Sequence, residues 1–173
     1  MSCEITLGRK IACKDNVGGI KNLYFVNYDT VPYSDLTIVD ETITVIATTT
    51  PAAFKYELKG ANSLEEANEV SADNGTSFWT QTLTAILQKQ DAATQKELKL
   101  MSYGNPKIMV EDYLGNIRMI GVQNGCTVQA NTSTGATMGD LNGYNLTITG
   151  MENSPALYVA TAAFATFVVT EGV

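Results

Sequence analysis

Histidine is absent from all 173 residues. That removes Ser-His-Asp and Cys-His activation of a nucleophile, and it removes the commonest ligand of transition metals. Neither a P-loop nor a GxGxxG fingerprint occurs, so a nucleotide site has no sequence support. Cysteine is sparse: Cys3, Cys13 and Cys126 form an odd set without CxxC spacing. Such a set is no disulfide framework; free thiols are expected, with a Cys3–Cys13 pairing as the alternative. No apolar run approaches the roughly 20 residues that span a bilayer. The opening MSCEITLGRK mixes acid and base and has no apolar h-region, so synthesis in a cytoplasm is expected. No cofactor, no metal, no catalytic residue and no membrane partner is expected.

What is present is a single-domain length with 45% hydrophobic residues, enough for a substantial core. The net charge of −7 is placed unevenly. Residues 1–28 carry Arg9, Lys10, Lys14 and Lys21 against Glu4 and Asp15. Residues 29–73 carry nine acids against Lys55 and Lys59. A small basic head therefore precedes an acidic middle. Sequence-specific DNA recognition needs a basic groove or stripe, and the chain has none.

The chain reads as strands and turns around one helix. Ser77–Leu87 is rich in β-branched and aromatic residues. Asp91–Tyr103 has the pattern of a helix with Asp91 as N-cap, Gly104 past its end and Pro106 forbidding continuation. Leu23–Tyr28 is a buried-strand run. Thr42–Thr48 puts Ile43, Val45 and Ala47 on one face, and Phe54–Lys59 alternates apolar with charged residues. Ser63–Ser71 has helical spacing at Leu64, Ala67 and Val70. The Asn74-Gly75 pair that follows instead favours a hairpin between Leu64–Val70 and Ser77–Leu87. Lys107–Asp112 and Ile117–Val122 flank a second turn. Thr127–Ala130, Tyr144–Thr149, Ala156–Ala160 and Phe164–Thr170 are further strands. Long loops are expected at 29–42 and 131–143, the latter mobile or shaped by a partner.

Candidate chemistry is thin. The pairs Asp40-Glu41 and Glu111-Asp112 would point to opposite faces of a strand, so neither converges on one substrate atom. Glu65, Glu66, Glu69 and Asp73 lack the order of a calcium loop and read as a solvated acidic face. Trp79 with Tyr24, Tyr28, Tyr56 and Tyr158 would make a sugar platform if they converged; aromatics fill cores more often. The polar N-terminal segment, the loops and the apolar C-terminal strand suit addition of arms or strands to neighbouring copies.

Several blocks together are informative: GRKIACKDNVGGIKNLYFVNY (8–28), YELKGANS (56–63), NGTSFWTQTLTAIL (74–87), KIMVEDYLGNIRMIGVQNG (107–125) and GDLNGYNLTITGMENSPA (139–156). In this order they resemble virion structural proteins of tailed bacteriophages, most nearly tail tube proteins. The resemblance implies a mainly β protein, an antiparallel barrel or sandwich with one flanking helix. It further implies six copies joining inner sheets into a ring, and rings stacking into a tail tube that conducts DNA. The implied partners are copies of itself, other tail or virion proteins and DNA in transit, in a virion assembled in the host cytoplasm. An acidic lumen would keep phosphate off its wall, which makes Glu65, Glu66, Glu69 and Asp73 candidate lumen residues. The N-terminal segment and the loop with Asn131, Thr134, Gly135, Met138 and Asp140 are the candidate ring-to-ring contacts. A capsid decoration or head-tail connector protein, and a carbohydrate-binding module, are the alternatives.

Overall fold

In the computed structural model, residues 4–172 are described, positions 6 and 12 excepted. The strands, in chain order, are β1 (Ile20–Val26), β2 (Leu36–Val39), β3 (Thr42–Ile46), β4 (Ala52–Glu57), β5 (Ser63–Ser71) and β6 (Thr76–Gln88). Helix α1 (Ala92–Tyr103) follows, then β7 (Lys107–Asp112), β8 (Ile117–Ile120), β9 (Cys126–Ser133), β10 (Gly143–Glu152) and β11 (Leu157–Val159). A short helix α2 (Thr161–Phe164) and β12 (Val168–Glu171) complete the chain. The protein is mainly β, with two sheets. The larger has the order β12-β4-β1-β7-β8-β11-β3-β2 and the smaller β5-β6-β10-β9.

The two sheets face each other across one core. Leu23, Phe25, Ile108, Val110 and Ile120 of the larger sheet meet Leu83, Ala85, Leu146, Ile148 and Val128 of the smaller. The larger sheet is covered on its other side too. There Tyr24, Val26, Met109 and Met119 pack with Ile43, Leu157, Ala163 and Phe167. Burial on both faces is why β1 and β7 contain the unbroken apolar runs Leu23–Val26 and Ile108–Val110, whereas β6 and β10 alternate. A fully buried Leu or Ile contributes about 1.5–3 kcal/mol. Helix α1 buries Leu98 alone and closes one end of the first core, with Met101 packed beside it. Its start is set by Asp91, whose carboxylate accepts the Thr94 N–H at 2.7 Å, and the Gly104 N–H closes its end on the Leu100 carbonyl.

The hairpin reading of Ser63–Ser71 holds: Leu64 pairs with Leu83 and Val70 with Ser77. So does the hairpin of β7 and β8, whose turn is organised by Asp112 accepting the Leu114 and Asn116 N–H groups. Other expectations need correction. The 29–42 segment is not a loop throughout: β2 pairs with β3, and Asp40 and Glu41 form their tight turn at φ 47° and 57°. Thr44 is an extra residue in β3, opposite no residue of β2, and its hydroxyl donates to the Thr37 carbonyl. This bulge breaks the expected alternation. Ile43 and Ile46 become the buried residues, and Val45 stays 53% exposed. The helix is not alone, since Phe164 ends α2 and the final strand is confined to β12. Asn131 to Ser133 belong to β9 and not to a loop. Among cysteines, Cys13 is an exposed free thiol and Cys126 a buried one; Cys3 lies outside the described residues.

Replacing Leu146, fully buried between the sheets, with Ala is expected to lower stability by about 2–5 kcal/mol in urea unfolding. A loss under about 1 kcal/mol would place this side chain outside a packed core. Burial, reinforced by the charge of Glu152, pushes the Cys126 thiol up to about 12. At pH 8 a thiol reagent should therefore modify Cys13 in the native chain and reach Cys126 only after unfolding, as read by peptide mass spectrometry.

Candidate functional site

Strand alternation divides the smaller sheet into two unlike faces. Gln81, Leu83, Ala85 and Leu87 of β6 and Tyr144, Leu146 and Ile148 of β10 are buried inward. The intervening residues point away from the core and line up across the register. Glu65, Thr82, Thr149 and Thr127 form one row across all four strands, and Ser63, Thr84, Thr147 and Gln129 form the next. Ile86, Asn145 and Asn131 continue the pattern. None of the four strands contains a lysine or arginine. The outward face is thus mostly hydroxyl and amide, interrupted by the apolar Phe78, Ile86 and Met151, with Glu65 and Glu69 as its carboxylates. Glu69 accepts the Thr80 hydroxyl at 2.9 Å, which holds its charge on this face.

The four acids expected to act together are separated by the same alternation. Glu65 and Glu69 face outward. Glu66 faces inward, where its Oε1 lies 3.2 Å from the Arg118 guanidinium and its Oε2 accepts the Ala156 N–H at 2.7 Å. It ties the edge strand β5 to the larger sheet and, of the four candidate acids, is not on the outward face. Asp73 sits in the turn beyond the strands. The 131–143 segment is ordered from within: Asp140 accepts the N–H groups of Ala136 and Thr137 at 2.9 and 2.8 Å. Those two bonds hold its carboxyl below the usual range. Gly135 has a φ of +69°, and a Cβ there would meet Asp140. Met138, at the tip, is fully exposed while Thr134 and Gly135 stand at the loop's base.

The remaining candidates are used structurally. Glu111 accepts from Asn22 and from the Tyr24 hydroxyl, each at 2.7 Å, and Asp112 organises its turn. Burial and then the Glu111 contact push the Tyr24 hydroxyl up to about 12. The five aromatics do not converge. Tyr24 and Tyr56 lie on opposite sides of the larger sheet, Tyr56 edge-on to Phe25, and Trp79 belongs to the other sheet. Among the described residues no group of three or more Cys, Asp or Glu is placed to hold a metal ion, and no helix is long and apolar enough to cross a membrane.

Sequence reasoning missed the buried polar residues. Lys107 is 1% exposed, donates to the Val31 carbonyl at 2.7 Å and stands over the Tyr28 ring. Burial lowers its pKa against the opposing pull of Glu152 and Asp29. Glu152 in turn accepts the Gln123 and Asn124 N–H groups. Gln81 accepts the Gly121 N–H, and Asn62 accepts that of Ile86. These bonds join loops to sheets. A lysine opening a strand and an isolated glutamate carry no sequence signal for that role.

Glu66→Ala is expected to cost about 1–3 kcal/mol, because it strands the Arg118 guanidinium and the Ala156 N–H. Glu65→Ala and Glu69→Ala should stay within about 0.5 kcal/mol of the parent. Urea unfolding of the three variants checks the division between faces; equal losses would refute it. Comparison with protein-family models, with curated proteins and with solved structures finds no match to this chain.

Proposed function

We propose that the protein is a structural subunit of a phage virion that assembles into rings and forms the tail tube conducting DNA during ejection. On this reading the domain is a β-sandwich flanked by α1. The observation that carries it is the smaller sheet, with its base-free outward face between two long edge strands, β5 and β9. Edge strands of nine and eight residues present rows of unpaired backbone groups, and proteins seldom leave such edges open. Pairing β9 of one copy with β5 of the next is a head-to-tail contact. Repeated around an axis it closes a ring and removes every edge of that sheet. Six copies are what the resemblance implies.

Closure of this kind turns the outward faces into one continuous wall. A wall of Thr, Asn and Gln, with Phe78, Ile86 and Met151 among them and Glu65 and Glu69 as its charges, offers phosphate no cation. DNA binding draws its strength from release of counterions by Lys and Arg, so a wall without them does not hold the duplex. The two glutamates act at short range, since charges are screened within about 8 Å at physiological salt. The duplex slides past a wet, neutral to anionic lining. No catalytic group, cofactor or metal is required, and assembly takes place in the host cytoplasm.

Negative-stain microscopy of the purified chain over a concentration series should show hollow rings, then stacks. In particles built with Glu65→Lys, Glu69→Lys and Thr147→Lys together, rings should still form, but DNA ejection should slow at least tenfold, with duplex retained at 0.1 M salt (on the order of physiological). Unchanged ejection and no retention would remove the lumen assignment. A chain that stays monomeric at every concentration and binds only a preformed capsid lattice would favour a decoration protein.

A further inference from the structure

Two features of the described chain match each other. Residues 5–19, positions 6 and 12 excepted, run ahead of β1 without helix or strand. Within them Ile5, Leu7 and Ile11 are 96%, 87% and 102% exposed. With Arg9 and Cys13 they occupy odd positions, so an extended arm carries Ile5, Leu7 and Ile11 along one side with Arg9 among them. The expectation of a polar N-terminal segment is therefore corrected. From Ile5 to Lys14 the arm holds Arg9, Lys10 and Lys14 and no acid.

The second feature is an open groove of about 1340 Å³ between α1, β4 and β12. Pockets for small ligands run to about 1000 Å³, so this one suits an extended segment better. Its floor includes Phe54, Tyr56, Leu100, Met101 and Pro106. Phe54 and Leu100 are 38% and 55% exposed, apolar surface left open among the described residues. The rim bears five carboxylates against three lysines. One of those lysines, Lys55, is already clamped by Glu57 and Glu171 at 3.0 and 2.9 Å. Glu97 and Asp91 bring negative charge near Tyr56, and with burial they push its hydroxyl up to about 12.

We propose that the N-terminal arm of one copy lies in the α1–β4 groove of a second copy. Apolar side chains of the arm enter the floor, and Arg9, Lys10 and Lys14 meet the acidic rim. The occupant is a second copy because, within one chain, Ile5, Leu7 and Ile11 are exposed and no arm residue lines the groove. The arm leaves from Ile20, whereas Phe25, Asn27 and Tyr28 at the far end of β1 line the groove. Repeated contacts of this kind run head to tail and extend a stack. The inference rests on the self-assembly reading and names the surfaces that join successive copies.

Native Cys13 allows a direct test with full chains. A tagged chain carries Glu97→Cys, Cys3→Ser and Cys13→Ser; an untagged chain carries Cys3→Ser and keeps Cys13. The two are mixed at concentrations where microscopy shows assemblies, mildly oxidised, and run on non-reducing gels. A disulfide between tagged and untagged chains is the expected product. Its yield should fall at least tenfold when Ile5, Leu7 and Ile11 are all changed to Ser. That triple variant should melt at the parent temperature, because all three side chains are exposed. A single chain bearing Cys3→Ser and Glu97→Cys, diluted below assembly, should form no internal disulfide; an efficient one means the arm folds back in cis and overturns the proposal. Assemblies without the mixed disulfide overturn the docking and leave the tube reading standing. Chains that neither cross-link nor assemble overturn both.

Discussion

The burial of the inward faces of β6 and β10 against β1 and β7 is the contact on which the rest of the molecule depends. Leu83, Ala85, Leu146 and Ile148 are removed from water in a cluster with Leu23, Phe25, Ile108 and Val110 of the opposite sheet. That contact sets the register of the smaller sheet, because a slip by one residue would send every apolar side chain to the wet face. It also determines which surface remains outside. The rows of threonine, glutamine and asparagine are the other half of the same alternation.

The larger sheet is stabilised differently. Both its faces are buried, the second under α2, Phe167 and the β2–β3 hairpin. A sheet covered on both sides has little room for polar side chains, and those it holds are fully bonded. Tyr24 and Asn22 both donate to Glu111, and Lys107 donates to a carbonyl. Free surface is therefore concentrated elsewhere: on the outward face of the smaller sheet, along β5 and β9, and in the groove beside α1. An unpaired sheet edge beside a base-free face, together with exposed apolar side chains in the arm and in the groove beside α1, are features of a subunit more than of a solitary domain.

Local chemistry was readable where one short stretch decides the outcome. Asp91 followed by Thr94 and closed by Gly104 marks α1 whatever surrounds it. Asn74-Gly75 marks the β5–β6 hairpin more strongly than the helical spacing of Leu64, Ala67 and Val70 argued against it, because β6 supplies a partner at every position. Reading failed where the deciding partner is distant. The bulge at Thr44 is invisible in β3 alone, since it exists only relative to β2. Glu66 is indistinguishable in sequence from Glu65, yet Arg118 and Ala156 lie on its side of the strand.

Composition and pattern by themselves determined that this chain is a mainly β protein lacking histidine and the nucleotide-binding motifs, with its acids gathered ahead of the second hairpin. Those conclusions need no partners, because residue type and period two act locally. Tertiary structure alone decided which glutamates face outward, which strands are edges, and that Ile5, Leu7 and Ile11 stay exposed. Each of these depends on what lies opposite a residue across a sheet or a groove, and a linear order of residues does not contain that opposition until the two sheets pack.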